Sequence, residues 1–257
     1  MELLSRNALN TSMFPMENIS PIRWWVMDNP VDYEESQIIM EREIQRISLG
    51  NAEELVWLLE HPPLYTSGTS AISDDLLSPK SLPVYTTGRG GGYTYHGPGQ
   101  RIIYIMLNLA KRRKDLRCFV AALEEVIIRT LKILGIVGER REDRVGIWVV
   151  RLNKTRDNQL LLIEEKIAAI GIRIRKWISF HGLSLNISPD LSYYTGIVPC
   201  GISQHGVTSL KELGYSYSMK YIDTLIRKSF ESVFGPTILH EYANINDVIS
   251  TKQSEKK

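Results

Sequence analysis

Lys166-Ile-Ala-Ala-Ile-Gly-Ile-Arg173 runs through Ile174-Arg175-Lys176 into Trp177-Ile-Ser-Phe-His-Gly-Leu-Ser-Leu-Asn-Ile187. The two flanks read as paired strands, with the three residues between them at or near the turn. Strands that follow one another in this way, set among a few helices, argue for an α+β fold. Helices would pack on a mostly antiparallel or mixed sheet.

Working outward, Gly146 to Val150 is a further strand, and Arg151 to Glu165 is a polar excursion expected to be a mobile insertion. Ile22 to Met27, Glu54 to Glu60, Val84 to Thr87 and Arg101 to Asn108 are short apolar runs that suit strands. Asp32, Asp115 and Ser218 each precede a helical stripe of apolar residues and are expected caps, and Gly50, Gly135 and Gly235 end those stripes. Residues 1–21 are expected to be a flexible leader, residues 22–241 a single domain, and residues 242–257 a disordered tail.

With 257 residues, 43% apolar and 23% charged, the chain is long enough to bury a core without staples. A net charge of +2 is too mild to argue for nucleic acid. No run approaches the roughly 18 apolar residues of a membrane span. The N-terminus lacks a secretory h-region. Two cysteines, Cys118 and Cys200, do not make a disulfide framework. A cytoplasmic protein is expected.

Arg89-Gly-Gly-Gly-Tyr-Thr-Tyr-His-Gly-Pro-Gly-Gln100 holds five glycines in twelve residues. Each glycine costs up to about 1 kcal/mol in a helix or strand, and one tight turn needs only one or two. The stretch is therefore expected to approach something closely with its backbone. It is not a phosphate loop, because no Gly-Lys-[Ser/Thr] ending follows. The histidines, at 61, 96, 181, 205 and 240, lack metal-site spacing.

Cys200 lies between Pro199 and Gly201, in a loop, and a thiol becomes a nucleophile when a nearby cation or base lowers its pKa. His96, His181, His205 and Lys166 are candidate partners. Lys166 opens an apolar, small-residue run, so its amine is either partly desolvated or held in water at a strand end. Cys118, in the first turn of an amphipathic helix, reads as a packing residue.

Taken in order, His61-Pro-Pro-Leu-Tyr-Thr66, Arg89 to Gln100, Lys166 to Gly171, Ser179 to Asn186 and Pro199-Cys-Gly-Ile202 resemble the lipoyl/octanoyl transferases of lipoate biosynthesis. The resemblance covers roughly Trp25 to Phe234. It implies the biotin/lipoate protein ligase catalytic-domain fold, a mixed sheet backed by helices. It implies transfer of an octanoyl (or lipoyl) group from acyl carrier protein to a lysine of lipoyl domains, those of 2-oxo acid dehydrogenases and the glycine cleavage H protein.

By the same resemblance, Cys200 carries the acyl group as a thioester and Lys166 lowers its pKa and moves protons. Arg89, Gly90, Gly91, Gly92, Tyr93, Thr94, Tyr95 and His96 bind substrate, with Ala169, Ile170 and Gly171, and Gly182, Leu183 and Ser184. No cofactor, ATP or metal is implied. Ser184 stands where alanine is commoner in the family. Arg112, Arg113, Lys114, Arg173, Arg175 and Lys176 are expected to dock acidic partners. The alternatives are an ATP-dependent lipoate–protein ligase of the same fold, which would not need Cys200, and a non-catalytic binding module.

Overall fold

The computed structural model describes residues 4–17, 20–78, 81–154, 160–198 and 206–248. In chain order its strands are β1 (Ile22–Met27), β2 (Leu55–Leu59), β3 (Leu64–Ser67), β4 (Val84–Thr86), β5 (Tyr93–His96), β6 (Gln100–Met106), β7 (Glu139–Arg141), β8 (Arg144–Lys154), β9 (Leu160–Arg175), β10 (Ile178–Asn186), β11 (Gly206–Val207) and β12 (Thr237–Tyr242). The long helices are α1 (Tyr33–Ser48), α2 (Leu116–Ile133) and α3 (Met219–Phe234).

Alternation along the strands builds two cores. Trp24, Val26, Val56, Leu58, Ile103 and Ile105 face Phe119, Leu123, Ile226 and Phe230 of α2 and α3. Their neighbours Trp25, Met27, Leu55, Trp57, Ile102 and Tyr104 face Ile39, Met40, Ile44 and Ile47 of α1. Side chains on a strand point to opposite faces in turn, so a strand covered on both sides reads as a continuous apolar run. This is why β1, β2 and β6 have almost no polar interruption.

The main sheet runs β12-β1-β2-β6-β10-β9-β8-β7, with β11 beside β9. The pairs β12–β1 and β1–β2 are parallel, and from β2 to β7 successive neighbours are antiparallel. It is a mixed sheet with helices on both faces. A second, small sheet runs β4-β3-β5. The expected caps are formed: Asp32 accepts from the backbone of Glu34, Asp115 from Cys118 and Ser218 from Tyr221. Such caps are worth about 1 kcal/mol each.

Four expectations change. The stretch from Arg151 to Glu165 is no loose excursion where it is described, because β8 and β9 pair antiparallel from Ile147 to Lys154 and from Leu160 onward. Its polarity reflects the lack of a layer over this hairpin, where Leu160 and Leu162 stay exposed. The leader is packed: Met13 is in the core, its N–H bonds Val233 O at 2.9 Å, and Arg6 pairs with buried Glu124 at 3.2 Å. Past residue 241 the chain is still anchored, with Val248 buried against the α1 core. Arg112 is not a docking group. It is buried in an ion pair with Glu54 and donates to Met13 O and Phe234 O at 2.6 Å each.

The β9–β10 turn is as read. Arg175 pairs with Ile178, and the two residues between, Lys176 (φ 51) and Trp177 (φ 64), are both left-handed. This is the geometry of a two-residue type I′ hairpin, which matches the right-handed twist of the strands.

Candidate functional site

The glycine-rich stretch lies against the hairpin from which the fold was read. Pairing of β8 with β9 ends at Ile147↔Ala168. Beyond that level, Gly90 donates its N–H to Ile172 O at 3.0 Å. The approach is tight at Gly171, where a Cβ would sit 3.1 Å from Gly90 O and 3.0 Å from Arg89 Cδ and the loop would have to give way slightly. On the other side of β10, a Cβ on Gly182 would fall 2.0 Å from Ile103 O. Glycine thus lets three layers of backbone close on one another.

Arg89 fixes the loop to the small sheet. Its Nη2 donates to Thr66 Oγ1 at 2.7 Å, to Thr66 O at 2.8 Å and to Gly92 O at 2.9 Å, and its Nη1 donates to Gly90 O at 3.0 Å. These bonds of a group expected to hold ligand serve Thr66 of β3 and two carbonyls of the loop itself. The second half of the stretch is strand β5, paired with β3 from Ser67↔Tyr93 to Leu64↔His96. Alternation there sends Thr94 and His96 one way. Tyr95 goes the other way, into a cluster with Tyr65 and Ile197 that Tyr93 flanks.

Between the loop, β6, β9 and β10 lies a slot with an empty volume of about 540 Å³, its mouth included. Arg89, Gly90, Gly91, Thr94, His96, Ala169, Ile170, Gly171, Gly182, Leu183 and Ser184 line it. Gly92, Tyr93 and Tyr95, expected with them, do not. Tyr33, Thr66, Ile102, Tyr104 and His181 complete the walls. Of these, Ile102 and Tyr104 carried a readable signal, since alternation on β6 puts them on one face. Tyr33 and Thr66 carried none, because they come from separate elements folded over the sheet.

Two histidines, His96 and His181, line the slot, a third, His61, packs against His96 and Tyr104 behind it, and burial keeps all three neutral. His61 Nδ1 donates to Val31 O at 2.7 Å and Nε2 accepts from the Tyr104 hydroxyl at 2.8 Å. Burial lowers its pKa to about 4. His181 is lowered to about 4 by burial, helped by Arg89 and Arg173. Burial, with His61 nearby, also holds His96 well below the usual imidazole range. His96 Nδ1 donates to Gln100 Oε1 at 2.7 Å. Gln100 Nε2 donates to Asn186 Oδ1 at 2.9 Å, and Asn186 Nδ2 donates to Thr208 O at 3.0 Å. Thr208 N–H in turn bonds Lys166 O at 2.9 Å.

Lys166 therefore lies at the end of a hydrogen-bonded path that begins at the loop. It is 6% exposed and sits within β9, not at a strand end, so the desolvated alternative holds. Its Nζ is 4.9 Å from the centroid of the Trp148 ring, a cation–π contact. A small annex of the slot, lined by Lys166, Asn186, Tyr194 and Val207, shares Thr94, Ala169 and Ser184 with it. Cys200 lies outside the described residues. The described chain stops at Val198, whose N–H bonds Asp75 O at 2.7 Å, and resumes at Gly206, with Val207 paired in parallel to Lys166.

Residues 32–231 match the family model of the lipoyl protein ligase A/B catalytic domain. The chain belongs to that family. It is 56% identical over 236 residues to an octanoyltransferase of Agrobacterium fabrum, covering 92% of this chain and 88% of that one. It is 59% identical over 216 residues to an octanoyltransferase of Brucella melitensis, covering 84% and 82%. Among solved structures, lipoate–protein ligase A bound with ATP superposes with a TM-score of 0.65 over 91% of this chain and 95% of that one, at 12% identity. That likeness is one of fold. Within the lipoyl protein ligase A/B fold, the slot and Lys166 occupy the β9–β10 hairpin and the loop that crosses it. No described helix is long and apolar enough to cross a membrane.

Proposed function

We propose that this chain transfers octanoyl groups in protein lipoylation, through a thioester on Cys200. The observation that carries the reading is that a narrow slot with largely apolar walls ends at the buried Lys166. An eight-carbon acyl chain gains about 0.8 kcal/mol for each methylene it buries, so such a slot suits it. The octanoyltransferase relatives support the same activity.

In the proposed sequence the Cys200 thiolate attacks the thioester carbonyl of octanoyl-acyl carrier protein. The bond from that carbon to the pantetheine sulfur breaks, and the leaving thiol takes a proton. The amine of a lipoyl-domain lysine then attacks the Cys200 thioester. The new amide forms as the carbon–sulfur bond breaks, and the amine's proton passes to the site. Lys166 lowers the Cys200 pKa as a neighbouring cation and moves these protons. Arg89, Gly90, Gly91, Thr94, His96, Ala169, Ile170, Gly171, Gly182, Leu183 and Ser184 hold the acyl group.

Acceptors are lipoyl domains, those of 2-oxo acid dehydrogenases and the glycine cleavage H protein, and the reaction runs in the cytoplasm. The exposed Arg113, Lys114, Arg173, Arg175 and Lys176 dock the acidic partners. Intact-mass measurement after incubation with octanoyl-acyl carrier protein, without ATP, tests the proposal. An octanoyl adduct on Cys200 is expected. Transfer by Cys200→Ala that depends strictly on ATP would overturn it in favour of a ligase.

A further inference from the structure

The slot has a far wall, and behind that wall is a second cavity. Along the hairpin the paired levels are Ala169↔Ser184, Ile170↔Leu183, Gly171↔Gly182 and Ile172↔His181. At about 3.3 Å per residue, the His181 level lies about 10 Å beyond the Ser184 level, which borders Lys166. That depth is comparable to an extended eight-carbon chain. At the far level Tyr33 and His181 line the slot, and the same two side chains line the second cavity, an open space with an empty volume of about 970 Å³. Ile38, Met40 and Phe180 give the second cavity an apolar side.

Both members of the wall are held in place. The Tyr33 ring sits 4.7 Å from Tyr85 and 5.3 Å, edge-on, from His61. His181 has a left-handed backbone, φ 57, within a strand, and its N–H bonds Met40 Sδ at 3.3 Å. A non-glycine residue keeps such a conformation only where its surroundings impose it.

We propose that Tyr33 and His181 form a partition that sets the upper limit of acyl length, and that removing either side chain joins the slot to the second cavity. The inference rests on the slot being the acyl site. The joined space then takes methylenes beyond the eighth, along Ile38 and Met40.

The test compares kcat/KM for dodecanoyl- and octanoyl-acyl carrier protein in the wild type, Tyr33→Ala and His181→Gly. Glycine suits the left-handed backbone at 181, so this second variant keeps the hairpin even if Tyr33→Ala disturbs the start of α1. Because the readout is a ratio, partial loss of folded enzyme cancels. The dodecanoyl-to-octanoyl ratio is expected to rise at least tenfold in either variant. Adding Ile38→Trp, which narrows the second cavity at its apolar side, is expected to return the ratio toward the wild-type value. An unchanged ratio in both variants while octanoyl transfer persists overturns the partition and leaves the acyl slot standing. A gain that survives Ile38→Trp overturns it as well. Failure of the wild type to use octanoyl-acyl carrier protein overturns the slot reading, and the partition with it.

Discussion

His96 donates its Nδ1 proton to Gln100 Oε1 at 2.7 Å, and Gln100 Nε2 carries the link on to Asn186 Oδ1 of β10 at 2.9 Å. Gln100 is fully buried, so its amide cannot be replaced by water without reorganisation. Gln100→Leu leaves the His96 N–H and the Asn186 carbonyl without this partner. At about 1–3 kcal/mol per unsatisfied group, a loss of about 2–6 kcal/mol in unfolding free energy is expected, measurable by urea titration. Transfer is expected to slow as well, because Asn186 lines the annex beside Lys166.

Acid should weaken the fold before it ionises the buried histidines. His61 and His181 have folded pKa values near 4, below the ordinary value of about 6.5. Between those limits the unfolded chain binds protons that the folded chain does not. Their contribution is therefore complete above about pH 6.5 and is lost as pH falls toward 4, by up to about 1.4 kcal/mol per pH unit for each histidine. Unfolding free energies at pH 7, 6 and 5 should fall in that order. His61→Gln, which cannot titrate, should give a shallower slope.

Lys166→Met keeps the apolar stem over Trp148 and deletes the charge. Acylation of Cys200 at neutral pH is expected to fall by about a hundredfold or more, the usual size of a positioned proton-transfer group. If the lysine acts by lowering the thiol's pKa, much of the rate should return as pH rises through the ordinary thiol range of about 8.5. A rate that stays low up to pH 9 would point instead to proton delivery. Stopped reactions read by intact mass separate these outcomes.

Two glycines of the hairpin should respond differently to alanine. At Gly182 the added Cβ would meet backbone at 2.0 Å, so β6 and β10 must part. At Gly171 its nearest neighbours, Arg89 Cδ and Gly90 O, lie at 3.0–3.1 Å, a contact that a shift of a few tenths of an ångström in the loop relieves. Gly182→Ala is expected to lower the melting temperature markedly, by about 5 °C or more, in line with a loss of 2 kcal/mol or more for a chain of this size. Gly171→Ala should melt close to the wild type yet bind acyl donor less well, because it shifts Gly90 and Arg89. Thermal melts and KM values for the two variants check this.

Much of the large sheet was legible before the structure, and the reason is local. Strands β1, β2 and β6 are covered on both faces, so their sequences alone mark them, and Asp32, Asp115 and Ser218 cap their helices with their own side chains. Of the small sheet only β4 was legible, as the run Val84 to Thr87. Leu64–Ser67 and Tyr93–His96 are four-residue strands, largely of polar and aromatic residues, and pairing with each other is what makes them strands. The same holds for Arg6 and Met13, whose burial needs Glu124 and Val233 from distant helices.

In the site, spacing marked Lys166 and the glycine loop, because small residues gathered around them. Their depth in the protein was not visible. Whether Lys166 met water depended on Trp148, which β8 brings to it across the sheet. Tyr33, which lines the slot, comes from the first turn of α1 and looks in sequence like any helix-start residue.

The parallel pairing of β1 with β12, from Ile22↔Thr237 to Met27↔Tyr242, has a consequence for synthesis on the ribosome. Strand β1 emerges early and finds β2 soon after, but its other edge stays open until almost the whole chain has been translated. Every slot-lining element is made before that edge closes. Closing so long a loop is slow, and an open strand edge invites pairing with other chains. Until β12 forms, the apolar β1 with Trp24, Trp25, Val26 and Met27 is the edge strand of the sheet, and β12, whose His240 and Glu241 are exposed, then takes that place with a more polar edge.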